Sequence, residues 1–135
     1  MKIVIDTNVL VSSLSRHSVY HWLITHLLQE KLDVCLSTEI LLEYEEISKQ
    51  KYSVTVATNF LASLKELTNV HFIQIYYRWQ LLKDVDDDKF IDYYIAANAE
   101  YLITNDKGFK IVQSIPFPKI NIISIQEFEG IIASL

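Results

Sequence analysis

The sequence predicts an α/β fold of three layers, with helices on both faces of a central, mostly parallel sheet. Two observations predict it. Short apolar runs rich in β-branched residues recur along the chain, and segments with apolar residues at helical spacing alternate with them. The first run, Lys2-Ile3-Val4-Ile5, is continuously apolar, as expected of a strand covered on both faces.

The elements follow in order. After the strand at residues 2–5, apolar character resumes at Val9-Leu10-Val11. Residues 19–29 place Val19, Trp22, Leu23 and Leu27 at helical spacing, with Ser18 as a candidate cap. Asp33 to Leu36 reads as a second strand. Ser37 or Thr38 then caps a helix reaching about Lys49, with Ile40, Leu41, Tyr44 and Ile47 as its buried stripe. A further helix runs from about Val54 to Leu67, carrying Val56, Phe60, Leu64 and Leu67. Val70 to Ile75 is a strand with partial alternation. Asp88 to Ala99 is a helix and Tyr101 to Thr104 a strand. Phe109 to about Ser114 is a short helix, and Pro116 and Pro118 mark a loop. Ile120 to Ile123 is the last strand and Ile125 to Ser134 the closing helix.

The 135 residues bound this to one domain, residues 1–135, with half of them hydrophobic and enough material for a single core. Two Gly and two Pro leave no room for linkers, and disorder is not expected. A net charge of −5 argues against a broad electrostatic footprint for nucleic acid. Part of that charge lies in a carboxylate cluster, where bound cations would offset it. Cys35 is the one cysteine and has no disulfide partner; it reads as a small buried hydrophobe. Asp6 and Asn8 interrupt what would otherwise mimic a signal peptide, and no uncharged run approaches the roughly 18–20 residues that span a bilayer. A soluble, cytoplasmic protein is expected.

The acids carry the chemistry. Asp6 ends the first strand, so it would face the crevice where open α/β sheets bind ligands. Asp106 repeats the pattern after the strand at Tyr101. Glu43 sits mid-helix near the edge of an apolar stripe, and Asp86-Asp87-Asp88 with Asp92 form a cluster. Asp88 and Asp92 are one turn apart, a like-charge spacing that a cation would relieve. Converging carboxylates need a cation, and oxygen donors suit magnesium or manganese. Such an ion lowers the pKa of bound water and stabilises charge on a phosphodiester. Thr7, Asn8 and Thr104 are suited to orienting the carboxylates.

Each acid also has a plainer reading. Asp6 could cap a helix or turn. Glu39, Glu43 and Glu46 follow the spacing of a solvated helix face, and the Asp84–Asp88 run suits a helix N-terminus. Asp106 could be a turn residue before Gly108. Co-occurrence after buried strands favours the site. His17 and His21 stand one turn apart, but neither the glutamate of a zinc-protease signature nor a third ligand accompanies them. Trp22, Trp79, Tyr76 and Tyr77 could stack on bases but read more simply as core. There is no glycine-rich phosphate loop.

At these residues the chain resembles the PIN-domain nucleases, in particular the small prokaryotic PIN proteins classed as toxins of toxin–antitoxin pairs, similar to VapC-type toxins. Ile3-Val4-Ile5-Asp6-Thr7-Asn8-Val9-Leu10 resembles the opening motif. Ser37-Thr38-Glu39-Ile40-Leu41-Leu42-Glu43-Tyr44 resembles the second, Asp86-Asp87-Asp88-Lys89-Phe90-Ile91 with Ala96-Ala97-Asn98-Ala99 the third, and Tyr101 to Phe109 the fourth. All four in order are specific, and together they cover almost the whole chain. The resemblance implies a magnesium- or manganese-dependent endoribonuclease that hydrolyses RNA phosphodiesters with metal-activated water. It also implies homodimers and a protein antitoxin. Carried onto this sequence, the catalytic acids are Asp6, Glu43, Asp88 and Asp106. Asp6, Asp88 and Asp106 are the metal ligands, with Asp92 an alternative for the third acid. Arg16, Lys107 and Lys110 are the cations that proximity places near the acids, a local rim for RNA.

Two other readings stay open. Asp6 could be the nucleophile of a phosphatase, although that chemistry wants a second Asp where Asn8 stands. A catalytically silent PIN-like module that binds RNA or protein is the other.

Overall fold

The first two strands lie where the apolar runs put them. In the computed structural model, which describes residues 1–135, β1 spans Lys2–Ile5 and β2 spans Asp33–Leu36. β3 (Val70–Phe72), β4 (Tyr101–Ile103) and β5 (Ile122–Ile123) are shorter than their runs. The five strands form one sheet in the order β3-β2-β1-β4-β5, parallel throughout. β1 is central, and Ile3, Val4 and Ile5 are fully buried. That is why its sequence shows no polar alternation.

The chain winds outward from β1 to β2 and β3, then crosses back to β4 and β5. Right-handed crossovers place the helices of the two halves on opposite faces, giving three layers. The order reverses between β1 and β4. Open parallel sheets leave a crevice beyond the carboxyl ends of the strands at that point.

The helices are α1 (Thr7–Ser12), α2 (His21–Leu28), α3 (Thr38–Lys51), α4 (Val54–Glu66), α5 (Val85–Ala97), α6 (Lys110–Gln113) and α7 (Ile125–Ala133). α1 was not expected, because its apolar residues Val9-Leu10-Val11 are consecutive and show no helical period. α2 starts later than its pattern suggests. The Ser18 hydroxyl accepts from the Tyr20 N–H at 3.1 Å, closing a local turn, and Val19 is exposed instead of joining the stripe. Ser37 does cap α3, accepting from the Ile40 N–H at 3.2 Å, and Ser53 caps α4 in the same way. On α4 the buried face is Ala57, Phe60, Leu61 and Leu64, while Val56 turns outward. α7 opens with a capping box between Ser124 and Glu127.

The largest departure is at α5. It starts at Val85 rather than Asp88, because the Asp84 side chain accepts from the N–H groups of Asp86 and Asp87 and so caps the helix earlier. It also ends early, at Ala97, where Asn98 takes the left-handed conformation. β3 likewise stops at Phe72, and residues 73–84 lie as an irregular strap along α5. The strap is fastened by side chains: Asp88 Oδ1 accepts from the Leu81 and Leu82 N–H groups, both at 3.0 Å, and Asp92 Oδ1 from the Trp79 N–H at 2.9 Å. Tyr76 and Tyr77, expected in the core, project from it into solvent, and Trp79 packs edge-on against Tyr77 and Phe117. No helix is long and apolar enough to cross a membrane.

One bond ties α3 to the end of β1. The Tyr44 hydroxyl, fully buried, donates to the Ile5 carbonyl at 2.8 Å. Replacing Tyr44 with Phe keeps the ring and strands that carbonyl's second lone pair. Urea melts of Tyr44→Phe are expected to show a loss of about 1 kcal/mol with an unchanged slope. Unchanged stability would mean the bond adds nothing to the packing around it.

Candidate acid site at the sheet switch point

Asp6 stands where β1 ends and α1 begins, at the reversal of strand order. Its N–H donates to the Ile103 carbonyl at 2.9 Å, continuing the β1–β4 ladder by one residue. Its carboxylate is 6% exposed and accepts from the Thr104 hydroxyl at 2.8 Å. Thr104 Oγ1 in turn accepts from the Asp106 N–H at 3.0 Å, so one side chain places both acids. Asp106 is exposed, and its own carboxylate caps the 3₁₀ turn Lys107–Phe109 by accepting from the Gly108 N–H. Burial raises the Asp6 carboxyl above its usual range; the Thr104 bond opposes this, and the charges of Asp106 and Glu43 add to it.

Glu43 reaches the same place from α3, and both its oxygens are engaged. Thr7 donates its hydroxyl to Oε1, and the Lys89 ammonium pairs with Oε2. Lys89 is 6% exposed. Burial works against its charge, but the hydrogen bond and charge of Glu43, with Glu39 and Asp86, hold its pKa above the usual lysine value.

The third acid differs from the expectation. Asp88 is on the wrong side of α5, its carboxylate taken up by the strap's amides, and Asp92 is buried against Trp79 in the same way. Successive helical residues point about 100° apart. Asp87 shares its helix face with the buried Phe90, Ile91 and Tyr94, three, four and seven residues on, so it is Asp87 that faces inward. Asp6, Thr7, Glu43, Asp84, Asp86 and Asp87 line one space of about 450 Å³. A second, of about 580 Å³, lies between Asp87 and Asp106, walled by Leu81, Leu82 and Ile111. A third joins Asp6 to Asp106, with Asn8 and Ser12 on its rim. The like-charge strain between Asp88 and Asp92 is relieved by backbone N–H groups instead of a cation.

Asp87 is the most perturbed of these acids. Burial first, then the charges of Asp84, Asp106, Asp6 and Asp86, push its carboxyl up to about 6. None of Asp6, Asp87 and Asp106 is in an ion pair. As placed, no three His, Cys, Asp or Glu side chains close on a single point at which they could hold an ion.

The basic residues divide. Lys107 and Lys110 line a space of about 390 Å³ that shares Thr104 and Asp106 with the acid site. Arg16 is exposed, after the end of α1, and lines none of the spaces that the acids line. The imidazole of His21 meets the Ser13 carbonyl at 3.0 Å while His17 is exposed, so the two histidines form no pair.

Two residues placed at this site were not singled out from sequence: Asp87 and Lys89. Recognising Asp84 as the cap would have moved the helix start and turned Asp87 inward. Lys89 left a fainter signal, a lone cation between three acids and the apolar Phe90-Ile91.

The raised pKa of Asp87 makes stability depend on pH. Its folded value of about 6 lies above the unfolded value of 3.8, so the folded chain binds more protons between them. Stability from this group is therefore present at low pH and lost as pH rises from about 4 to about 6. Asp87→Asn in metal-free buffer is expected to melt higher than the parent at pH 7.5, with the gap closing below pH 4. A gap of equal size at both ends would rule out the Asp87 charge as its cause.

A family model described as PIN domain matches residues 2–108. No match is found among curated protein sequences. Among solved structures the chain is similar to one described as the crystal structure of VapBC2 from Rickettsia felis bound to a DNA fragment from their promoter. Identity is 18%, coverage is 92% of this chain and 98% of that chain, and the TM-score is 0.62. That likeness is one of fold, and it matches the five-stranded parallel sheet. The match to the family model spans all four acidic motifs, and the chain belongs to the PIN-domain family.

Proposed function

We propose that this chain is a divalent-metal-dependent endoribonuclease and the toxin of a toxin–antitoxin pair. The observation that carries the reading is the set Asp6, Asp87 and Asp106 at the switch point, none of them in an ion pair, although Lys83 lines the space between Asp87 and Asp106. Three carboxylates around adjoining spaces repel, and a hard cation that drew them together would remove that cost. The donor set fits magnesium or manganese and does not fit softer metals. Asp6, Asp87 and Asp106 would hold the ion; Asp88 and Asp92 are committed to the strap.

When bound, the ion supplies a nucleophilic water of lowered pKa and a counter-charge for the phosphodiester. The protein's residues do the rest. Thr104 holds Asp6 and Asp106 in fixed relation, while Thr7 and Lys89 hold Glu43. Asp87, raised to about 6 by burial and the neighbouring acids, would give up its proton as it takes up the ion. The RNA backbone would approach over Lys107 and Lys110. A VapBC complex as a structural neighbour supports a protein antitoxin, and PIN toxins of this type support a homodimer. The silent-module alternative retains all these acids without cleavage.

Asp6→Asn keeps size and the Thr104 contact while removing charge. It is expected to retain the parent melting curve within a few degrees. It should lose Mn²⁺ binding by calorimetry and at least about a hundredfold in cleavage of RNA, a loss of roughly 2.7 kcal/mol in transition-state stabilisation. Asp88→Ala is the contrast: it should lower stability by about 1–3 kcal/mol, since two strap amides lose their acceptor, and leave Mn²⁺ affinity near the parent's. RNA cleavage by Asp6→Asn at the parent's rate would exclude the mechanism, and loss of Mn²⁺ binding in folded Asp88→Ala would return Asp88 to the ligand set.

The rim is tested by binding rather than cleavage. Asp6→Asn bound to single-stranded RNA across a salt series should show a log–log slope that falls by about 1.4 when Lys107→Ala and Lys110→Ala are added, about 0.7 per phosphate contact. An unchanged slope would move the RNA path to another surface.

A further inference from the structure

We propose that Lys89 is a positioning residue that keeps Glu43 out of the metal's ligand set, and so limits that set to Asp6, Asp87 and Asp106. The inference rests on the metal reading above. Glu43 lines the same space as Asp6 and Asp87, and by placement alone it would be a fourth ligand. Its oxygens are not available. One accepts from Thr7 and the other is paired with Lys89. Of the acids that line these spaces, Glu43 alone is neutralised by a cation of the chain.

The pair is conditional in both directions. Lys89 is buried, with its ammonium 5.5 Å from the centre of the Phe90 ring. An unpaired ammonium there would cost several kcal/mol, so Lys89 holds this place because Glu43 does. Glu43 stands on α3 and Lys89 on α5, so the pair spans two elements, beside Asp87 in the first turn of α5. The helix start that aims Asp87 at the site also aims Lys89 at Glu43.

The consequence is a matter of donor count. Carboxylate number tunes divalent-cation affinity, and magnesium keeps open positions when few carboxylates bind it, leaving room for substrate phosphate and water. With Lys89 in place the site offers three charges and needs the substrate to complete it. Without that ammonium, Glu43 becomes a fourth charge and a fourth ligand. A residue that only supported the fold would weaken metal binding when removed. Lys89 should do the reverse.

The experiment is Mn²⁺ titration of the full chain by calorimetry, with no RNA present. Lys89→Met retains the apolar stem without the charge, and is expected to bind Mn²⁺ about tenfold more tightly than the parent. Lys89→Arg keeps the charge, and Lys89→Met with Glu43→Gln removes the freed ligand; both should return to within about twofold of the parent. Parental or weaker affinity in a folded Lys89→Met overturns the proposal. If Lys89→Met is unfolded without metal, Mn²⁺ should restore a cooperative melt, because the freed Glu43 would be a ligand; no rescue overturns it equally. The two failures are separable. A parent that takes up no Mn²⁺ overturns the metal reading and this inference with it, whereas parental uptake left unchanged by Lys89→Met overturns the inference alone.

Discussion

Everything at this site depends on one carboxylate, Asp6, held at the buried end of the central strand. Ile3, Val4 and Ile5 are fully buried, so the next residue has little choice of surroundings, and Asp6 is itself almost inaccessible. The chain makes this tolerable with two local devices. The Asp6 N–H extends the ladder to Ile103, which fixes the backbone, and the Thr104 hydroxyl fixes the carboxylate. Neither device supplies charge. The remaining cost appears as a raised carboxyl pKa, and the acids brought in around it from α3 and the end of β4 increase that cost.

The protein answers most of this charge from its own donors. Glu43 has a lysine and a threonine; Asp84, Asp88, Asp92 and Asp106 each accept from backbone N–H groups. What is left is Asp86 and Asp87, whose carboxylates have no donor, and Asp6, with a hydroxyl and a neighbouring Asp106. The charge that the fold leaves uncompensated is therefore concentrated where the sheet reverses its order. α5 performs the sorting. Its 100° turn per residue sends Asp87 to the site and Asp88 to the strap. Lys89 goes to Glu43, so three consecutive residues have three different partners.

The sheet was legible because buried parallel strands write themselves as continuous apolar runs, and β1 and β2 begin and end where their runs do. Asp6, Glu43 and Asp106 were legible for a related reason: a strand that stops at an acid, or a helix stripe bordered by one, marks a place before any geometry is known. α1 was not, because three consecutive apolar residues carry no period. Of the three aspartates, the structure turns Asp87 toward Asp6, where Asp88 was expected. Within a run of three aspartates composition is uniform, and the helix must be carried back to its true start before the face of Phe90, Ile91 and Tyr94 picks out Asp87. That start is set by a side chain, Asp84, bonding to N–H groups two and three residues ahead. The strap escaped for another reason. Its order comes from Asp88 and Asp92 reaching back to it, a long-range cause that residues 73–84 do not contain.

A site built this way ties the strength of the fold to the occupancy of the site. Burying Asp6 and turning Asp87 toward it works against the metal-free chain at neutral pH, where both would lose their protons in water. A ligand that binds only the folded chain returns that stability by mass action, in proportion to the logarithm of its concentration over its dissociation constant. The surrounding structure must then hold the acids apart but in place while the charge is uncompensated. Thr104 and the Glu43–Lys89–Thr7 group supply that restraint, and they connect β4, α1, α3 and α5 around Asp6. In the proposed reading, destabilising acids and stiff polar supports are therefore one feature. Without the supports, mutual repulsion would spread the carboxylates into solvent, and without the repulsion there would be no electrostatic reason for a cation to bind there.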